Sequence, residues 1–353
     1  MSSILLAATA CSAAPPPSLE GNGTPWPEAN TLFHSEQSWL GADAAYSVDL
    51  GGDRVAWLFG DTFVATTTAH LRAESKMVRN TVAVETGRDP TRATMQFAWG
   101  DASGVPASFI PERGDRWHWP LGGVRIQGGP LIVFLSIEKS DPGGLGFASD
   151  GWRAVLIANP DDPPSAWQQS WLEPPAQAWS AQVGTAVARD GDYVIALATD
   201  EPHHGMLARF PIASLATGDL SSIQWWDGAS WGSGPPATVI DDAGPEASIH
   251  FDGTRWIHVM SRGFGATTIA IRTAPDVTGP WSDPVDVFTP PESLGPDPFV
   301  YAGKAHPELD TGDGTLAITY ATNSFTFGDL FTTDGMRELY WPRFAKLTLT
   351  ATR

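Results

Sequence analysis

The sequence predicts an all-β fold, a five-bladed β-propeller whose last blade is closed by an N-terminal strand, on three observations. The 353 residues include 36 Gly, 30 Pro and 16 Trp with few Lys and little 3.6-residue periodicity, the mark of short strands joined by turns. One phrase, a small or polar strand, a Gly/Asp hairpin and then an apolar strand, recurs about five times, as blades do. At 42% hydrophobic and 17% charged residues the chain can fill a large core. A β-sandwich or jelly roll would not need the same phrase to recur along the whole chain.

The first unit runs 43–50, turns at Gly51-Gly52, returns over 55–59 and adds outer strands at 79–85 and 95–99. The second runs 119–126, turns at Gly128-Gly129-Pro130, and continues over 131–137, 152–158 and 167–171. The third has strands at 182–188, 193–198, 206–210 and 223–226 around the turn Asp190-Gly191. The fourth is the clearest: 246–251, turn Asp252-Gly253, 255–260, 268–274 and 284–288. The fifth has 306–309, a turn from Asp310 to Gly314, 315–320 and 343–349, and lacks a fourth strand. Residues 31–37 are expected to supply it from the N-terminal side, closing the ring. The helical candidate is one short stretch at 69–76. Residues 1–24 read as a leader and Pro-rich linker, and 25–353 as one domain.

Formal net charge is −19, from 21 basic and 40 acidic residues, which argues against nucleic acid as a partner because phosphate binding needs a basic face. Cys11 stands alone, so there is no intramolecular disulfide or Cys-based zinc site. The apolar run before Cys11 and the Ser-Ala-Ala-Pro-Pro-Pro after it resemble a bacterial lipoprotein signal with a lipidated cysteine and a tether, although the basic n-region is missing and the run is short. Export is expected, to the cell surface, the periplasm or the medium, with membrane contact only through a lipid at Cys11. The protein is expected to be a monomer. No motif demands a cofactor or metal; calcium on the propeller axis is left open.

In a propeller the first strand of each blade lines the channel, so the starts of those strands converge at one mouth. That rule selects Asp43, Trp119, Gln182, Glu246, and His306 with Glu308. The strand after the first hairpin returns to the same rim and adds Asp61, with Arg79 and Asn80 beginning the next strand. Two carboxylates at the far ends of one antiparallel pair cost stability unless a cation, a basic neighbour or a substrate compensates them. Asp61 could instead simply cap its own turn. His306, fixed as extended by the following Pro307, suits an axial ligand or a satisfied channel histidine equally.

The phrase over 43–62, with Phe59-Gly60-Asp61-Thr62 inside it, resembles the opening blade of five-bladed glycoside hydrolases such as arabinanases, arabinofuranosidases and xylosidases. It is more closely similar to a propeller family, formerly of unknown function, that contains endo-D-arabinanases acting on mycobacterial cell-wall arabinan and shares Phe-Gly-Asp-Thr and a nearby Arg-Asn. The resemblance implies a glycosidase on an arabinofuranose-containing polysaccharide or oligosaccharide, with Asp43 as general base, Glu246 as general acid and His306 as the histidine of the last blade. It departs from the pattern in one respect: Gln182 and Trp119 stand where a further inner-strand Asp would tune the acid. Asp61 could take that role, or be the base with Asp43 as its partner. Arg79 would hold Asp61 ionised or bind a sugar hydroxyl, and Trp119 would offer a stacking face. A carbohydrate-binding surface lipoprotein that has lost catalysis is the alternative, and an interaction platform a third reading.

Overall fold

The computed structural model describes residues 19–351 apart from Pro296 and Pro298, so Cys11 lies outside the described residues. Five four-stranded antiparallel units follow one another along the chain. Blade one comprises Tyr46–Gly51, Arg54–Phe59, Thr81–Thr86 and Thr94–Ala98, and blade two Arg116–Arg125, Leu131–Ser140, Phe147–Ile157 and Gln169–Leu172. Blade three comprises Gln182–Asp190, Tyr193–Thr199, Gly205–Pro211 and Gln224–Trp226, and adds two short strands, Trp231–Gly232 and Thr238–Ile240. Blade four comprises Ala247–Phe251, Trp256–Arg262, Thr268–Ala274 and Val285–Phe288. Blade five comprises Phe299–Ala305, Leu316–Asn323, Arg343–Ala351 and, last, the N-terminal strand Leu19–Pro25.

A blade is covered on both faces by its neighbours, so its middle strands need no polar face. Arg54–Phe59 and Leu131–Ser140 are accordingly almost continuously buried. The apolar layers lie between blades: Leu58 with Val133 and Trp167 between one and two, Phe134 with Trp152 and Phe210 between two and three, and Trp57 with Phe344 between one and five. The first strands surround an axial cavity of about 440 Å³ whose walls include Val48, Gly123, Val187, Ser248 and Ala305, one from each blade. Among the described residues no helix is long and apolar enough to cross a membrane.

The closing strand is not 31–37. Thr31–His34 is a 3-10 turn, pinned where the Asn30 side chain accepts from the Phe344 amide at 2.7 Å. Leu19–Pro25 pairs instead with the C-terminal strand, from Leu19 opposite Ala351 to Pro25 opposite Ala345. Its glycines read as linker, yet Gly21 and Gly23 are demanded by packing: a β-carbon would fall 2.6 Å from Val287 and 2.4 Å from Phe288. The first strand of blade five is Phe299–Ala305, not 306–309, so His306 and Glu308 follow the far end of that strand rather than open it. A bulge between Tyr301 and Lys304, with Ala302 at φ 58°, breaks the alternation that would have revealed it. Residues 69–76 hold only the 3-10 turn Arg72–Glu74 before the strand Ser75–Val78. A three-stranded sheet of Trp39–Ala42, Thr62–Ala65 and Ser75–Val78 stands beside blade one and was not anticipated.

Candidate active site

Asp43 and Asp61 come together because both lie where the chain crosses between blade one and that small sheet. Asp43 sits between Trp39–Ala42 and Tyr46–Gly51, and Asp61 between Arg54–Phe59 and Thr62–Ala65. The Gly60 amide donates to the Asp43 carbonyl at 3.2 Å. A β-carbon at residue 60 would fall 2.3 Å from Asp43 Oδ1, so a side chain there would push the carboxyl from its place. Ala44 and Ala45 follow with φ of 64° and 54°, two consecutive left-handed alanines, a costly conformation that surrounding structure has to hold.

The holder is Lys304, 1% exposed in its side chain. Its ammonium donates to the carbonyl of Ala44, to the carbonyl of Ala302 at 2.8 Å and to Glu246 Oε2 at 2.9 Å. All three partners are acceptors, so Nζ must bring three protons and is the charged ammonium. Burial lowers the Lys304 pKa, opposed by the neighbouring Glu246 charge. The Tyr46 ring lies 4.3 Å from Nζ and adds a cation–π contact. Glu246 stands immediately before Ala247–Phe251, 22% exposed, with its charge matched by this lysine.

Asp43 has quite different neighbours. Tyr301 and Tyr340 donate their hydroxyls to its Oδ2 at 2.8 and 3.3 Å, leaving Oδ1 to carry a proton. Burial, then the charges of Asp61 and Glu246, push its pKa up to about 8. The mutual influence places the three carboxyls in one electrostatic neighbourhood. Asp61 is also raised by burial, but Arg79 at 3.2 Å and the Trp119 indole N–H at 2.8 Å work against the rise. The Arg79 guanidinium in turn lies 4.3 Å from the centre of the Trp117 ring.

Trp119 is therefore tied to Asp61 through its nitrogen and meets Phe147 edge to face at 4.6 Å. Gln182 donates to Glu138 Oε1 at 3.1 Å and to Ser149 Oγ at 2.8 Å; burial raises Glu138 to about 7. Three sequence candidates do not reach this mouth. Asn80 is fully buried, its amide spent on the backbone of Ile110 and His118. His306 is buried with Nδ1 on Ser47 at 2.5 Å and Nε2 on Thr319 at 2.7 Å, and burial keeps it well below the usual histidine range, as suits a satisfied core histidine. Glu308 lines the axial cavity from the hairpin end, where burial raises its pKa. Lys304, Tyr301, Tyr340 and Glu138 were missed; a single Lys inside an apolar strand was the one available signal. Among the described residues no three His, Cys, Asp or Glu side chains gather as a metal site.

Residues 28–349 match the family described as "Domain of unknown function (DUF5005)", and the chain belongs to that family. Three solved structures share the fold at low identity. A Bacteroides ovatus protein, provisionally described as a hydrolase, is 18% identical with a TM-score of 0.71, covering 91% of this chain and 88% of its own. The inulosucrase of Halalkalicoccus jeotgali, solved with kestose, is 12% identical with a TM-score of 0.53, covering 94% and 88%. The catalytic domain of a Coprinopsis cinerea GH62 α-L-arabinofuranosidase is 11% identical with a TM-score of 0.50 over 95% and 98%. Notoamide biosynthesis cluster protein J of an Aspergillus strain is 26% identical over 297 residues, 75% of each chain.

Proposed function

We propose that this DUF5005 protein is a glycoside hydrolase whose active site is the Asp43–Asp61–Glu246 rim, acting on a neutral glycoside with arabinofuranose as the first sugar to try. The observation that carries the reading is the difference in surroundings between two carboxyls. Asp43 holds a proton near neutrality, and Glu246 is bonded to a buried ammonium. Hydrolysis of a glycosidic bond needs that pair, a carboxylic acid to protonate the leaving oxygen and a carboxylate to activate water or attack the sugar.

The roles implied by the family resemblance are thereby exchanged. Asp43 becomes the acid and Glu246 the base, while Asp61, whose charge helps to raise Asp43, tunes the acid. Lys304 acts through others: it bonds Glu246 and fixes the Ala44 carbonyl next to Asp43. Arg79 lies on the Asp61 side, where the guanidinium N–H groups not used on Asp61 could meet a sugar's hydroxyls.

The test is product analysis on mycobacterial arabinogalactan and a panel of plant arabinans, with Asp43→Asn and Glu246→Gln. Released sugar is expected from the wild type, falling about 10²–10⁴-fold in each variant. Release from none of these substrates, together with sugar binding that survives Glu246→Gln, would mark a carbohydrate-binding protein instead.

A further inference from the structure

The two sides of the carboxylate rim differ in chemistry. On the Asp61 side stand Arg79 and the Trp119 indole. On the Asp43 side rings predominate, with the Asn323 side chain bonded to Tyr301 among them. Tyr301, bonded to Asp43, stacks on Phe299 at 5.1 Å and 23°, and Phe299 on Phe325 at 4.7 Å and 16°. Phe264 meets both phenylalanines edge to face, at 5.2 and 5.6 Å. Phe264 is 67% exposed and Phe325 52%.

These rings are not on slack chain. The Val300 amide donates to the Gly265 carbonyl at 3.2 Å, and the Thr267 hydroxyl to the Val300 carbonyl at 2.6 Å, tying the Phe264 loop to the strand of Phe299. The Ser324 hydroxyl donates to Asp329 at 2.8 Å and accepts from the Thr326 amide at 3.0 Å, bracing the turn that carries Phe325. Exposed phenyl rings on pinned backbone lose apolar burial with no gain in the free protein, and such patches mark ligand sites.

We infer that the Phe264–Phe299–Phe325 lip is a subsite for an apolar aglycone, an aryl or alkyl group on the leaving oxygen, extending two ring spacings beyond Tyr301. The inference rests on the glycosidase reading above. A second sugar would bring hydroxyls to a lip whose rings offer no partner, and stripping their water without replacement is unfavourable. The opposite side, with the Arg79 guanidinium, suits the sugar. The lip also stands beside the proposed acid, where the leaving group must be.

The experiment uses the whole protein with N-phenyl-1-naphthylamine, a neutral apolar dye, followed by fluorescence, and calorimetry with phenyl and methyl α-arabinofuranosides of both the D and L series. Phe264→Ala/Phe325→Ala is compared with Phe251→Ala, a control at a half-exposed phenylalanine beside the Asp252-Gly253 turn at the other end of blade four. Dye affinity is expected to fall about tenfold in the double variant and hold in the control, and the phenyl glycoside to bind about tenfold tighter than the methyl one only while the lip is intact. Thermal melting establishes that the variants are folded. Loss of dye binding with no glycoside bound would keep the apolar site and remove the glycosidase reading beneath it. Equal dye binding in the double variant, or displacement of dye by an unsubstituted arabino-oligosaccharide as effectively as by the phenyl glycoside, overturns the proposal.

Discussion

Asp43 and Asp61 leave the same blade from adjacent strand ends, yet Asp43 is enclosed by two tyrosines and Asp61 by an arginine and an indole. The identical functional group is pushed up to about 8 in the first setting, while in the second a cation and a donor oppose the rise. Two aspartates can divide acid and charge-holding duties only if their surroundings differ in this way. Glu246 extends the contrast, since its partner is a buried ammonium. What separates the three is the walls around them, and those walls come from blades one, two and five.

The largest effect expected from disturbing this contrast is at Lys304. Replacing Lys304 with Met leaves Glu246 and two carbonyls without their donor, and removing one partner of a buried pair costs about 3–5 kcal/mol. Urea denaturation measures it, and a loss below about 1 kcal/mol would show that the ammonium does not organise the rim. Next is the pH profile of kcat/KM. Activity should decline as pH rises through about 8, where Asp43 gives up its proton. In Asp61→Asn the declining limb should move to lower pH, because a charge that favours the protonated Asp43 is gone; a limb that stays put breaks the assignment of Asp61 as tuner. Trp119→Phe removes the 2.8 Å bond to Asp61 and should cost about tenfold in kcat/KM, the scale of a hydrogen bond to a charged group.

The smallest effect is on stability, and its sign follows from linkage. A folded-state value of about 8 against an ordinary 3.8 means the native protein holds this proton more tightly than the unfolded chain does. The stability it lends is whole below about pH 4 and is lost as pH rises through about 8. Asn stays neutral throughout, so Asp43→Asn should melt a few degrees above the wild type at pH 8 and level with it at pH 4, by calorimetry at both. A variant less stable at pH 8 would mean that the two tyrosines hold a carboxylate there.

Much of this rim was legible before any coordinates. The recurring hairpin phrase gave the blades, and the strand-start rule brought Asp43, Asp61, Glu246, Arg79 and Trp119 to one region, while Gln182 bonds to Glu138 and Ser149 of blade two. It failed in blade five, where the bulge at Ala302 disguised the first strand and drew attention to His306 and Glu308 in its place. It failed also at Asn80, whose amide side chain is used up holding backbone around Ile110. Leu19–Pro25 looked like linker because close packing against Val287 and Phe288 demands glycine, and glycine reads as flexibility in one dimension.

The sequence by itself determined the sheet content, the count of blades and the identities of the three carboxyls, because period-two patterning and Gly/Asp turns act over a few neighbouring residues. Which carboxyl holds a proton was decided only by the tertiary structure. That outcome depends on Tyr301, Tyr340 and Lys304, which lie 258, 297 and 58 residues from the groups they address, and on burial, which no local stretch of chain possesses until the blades close around it.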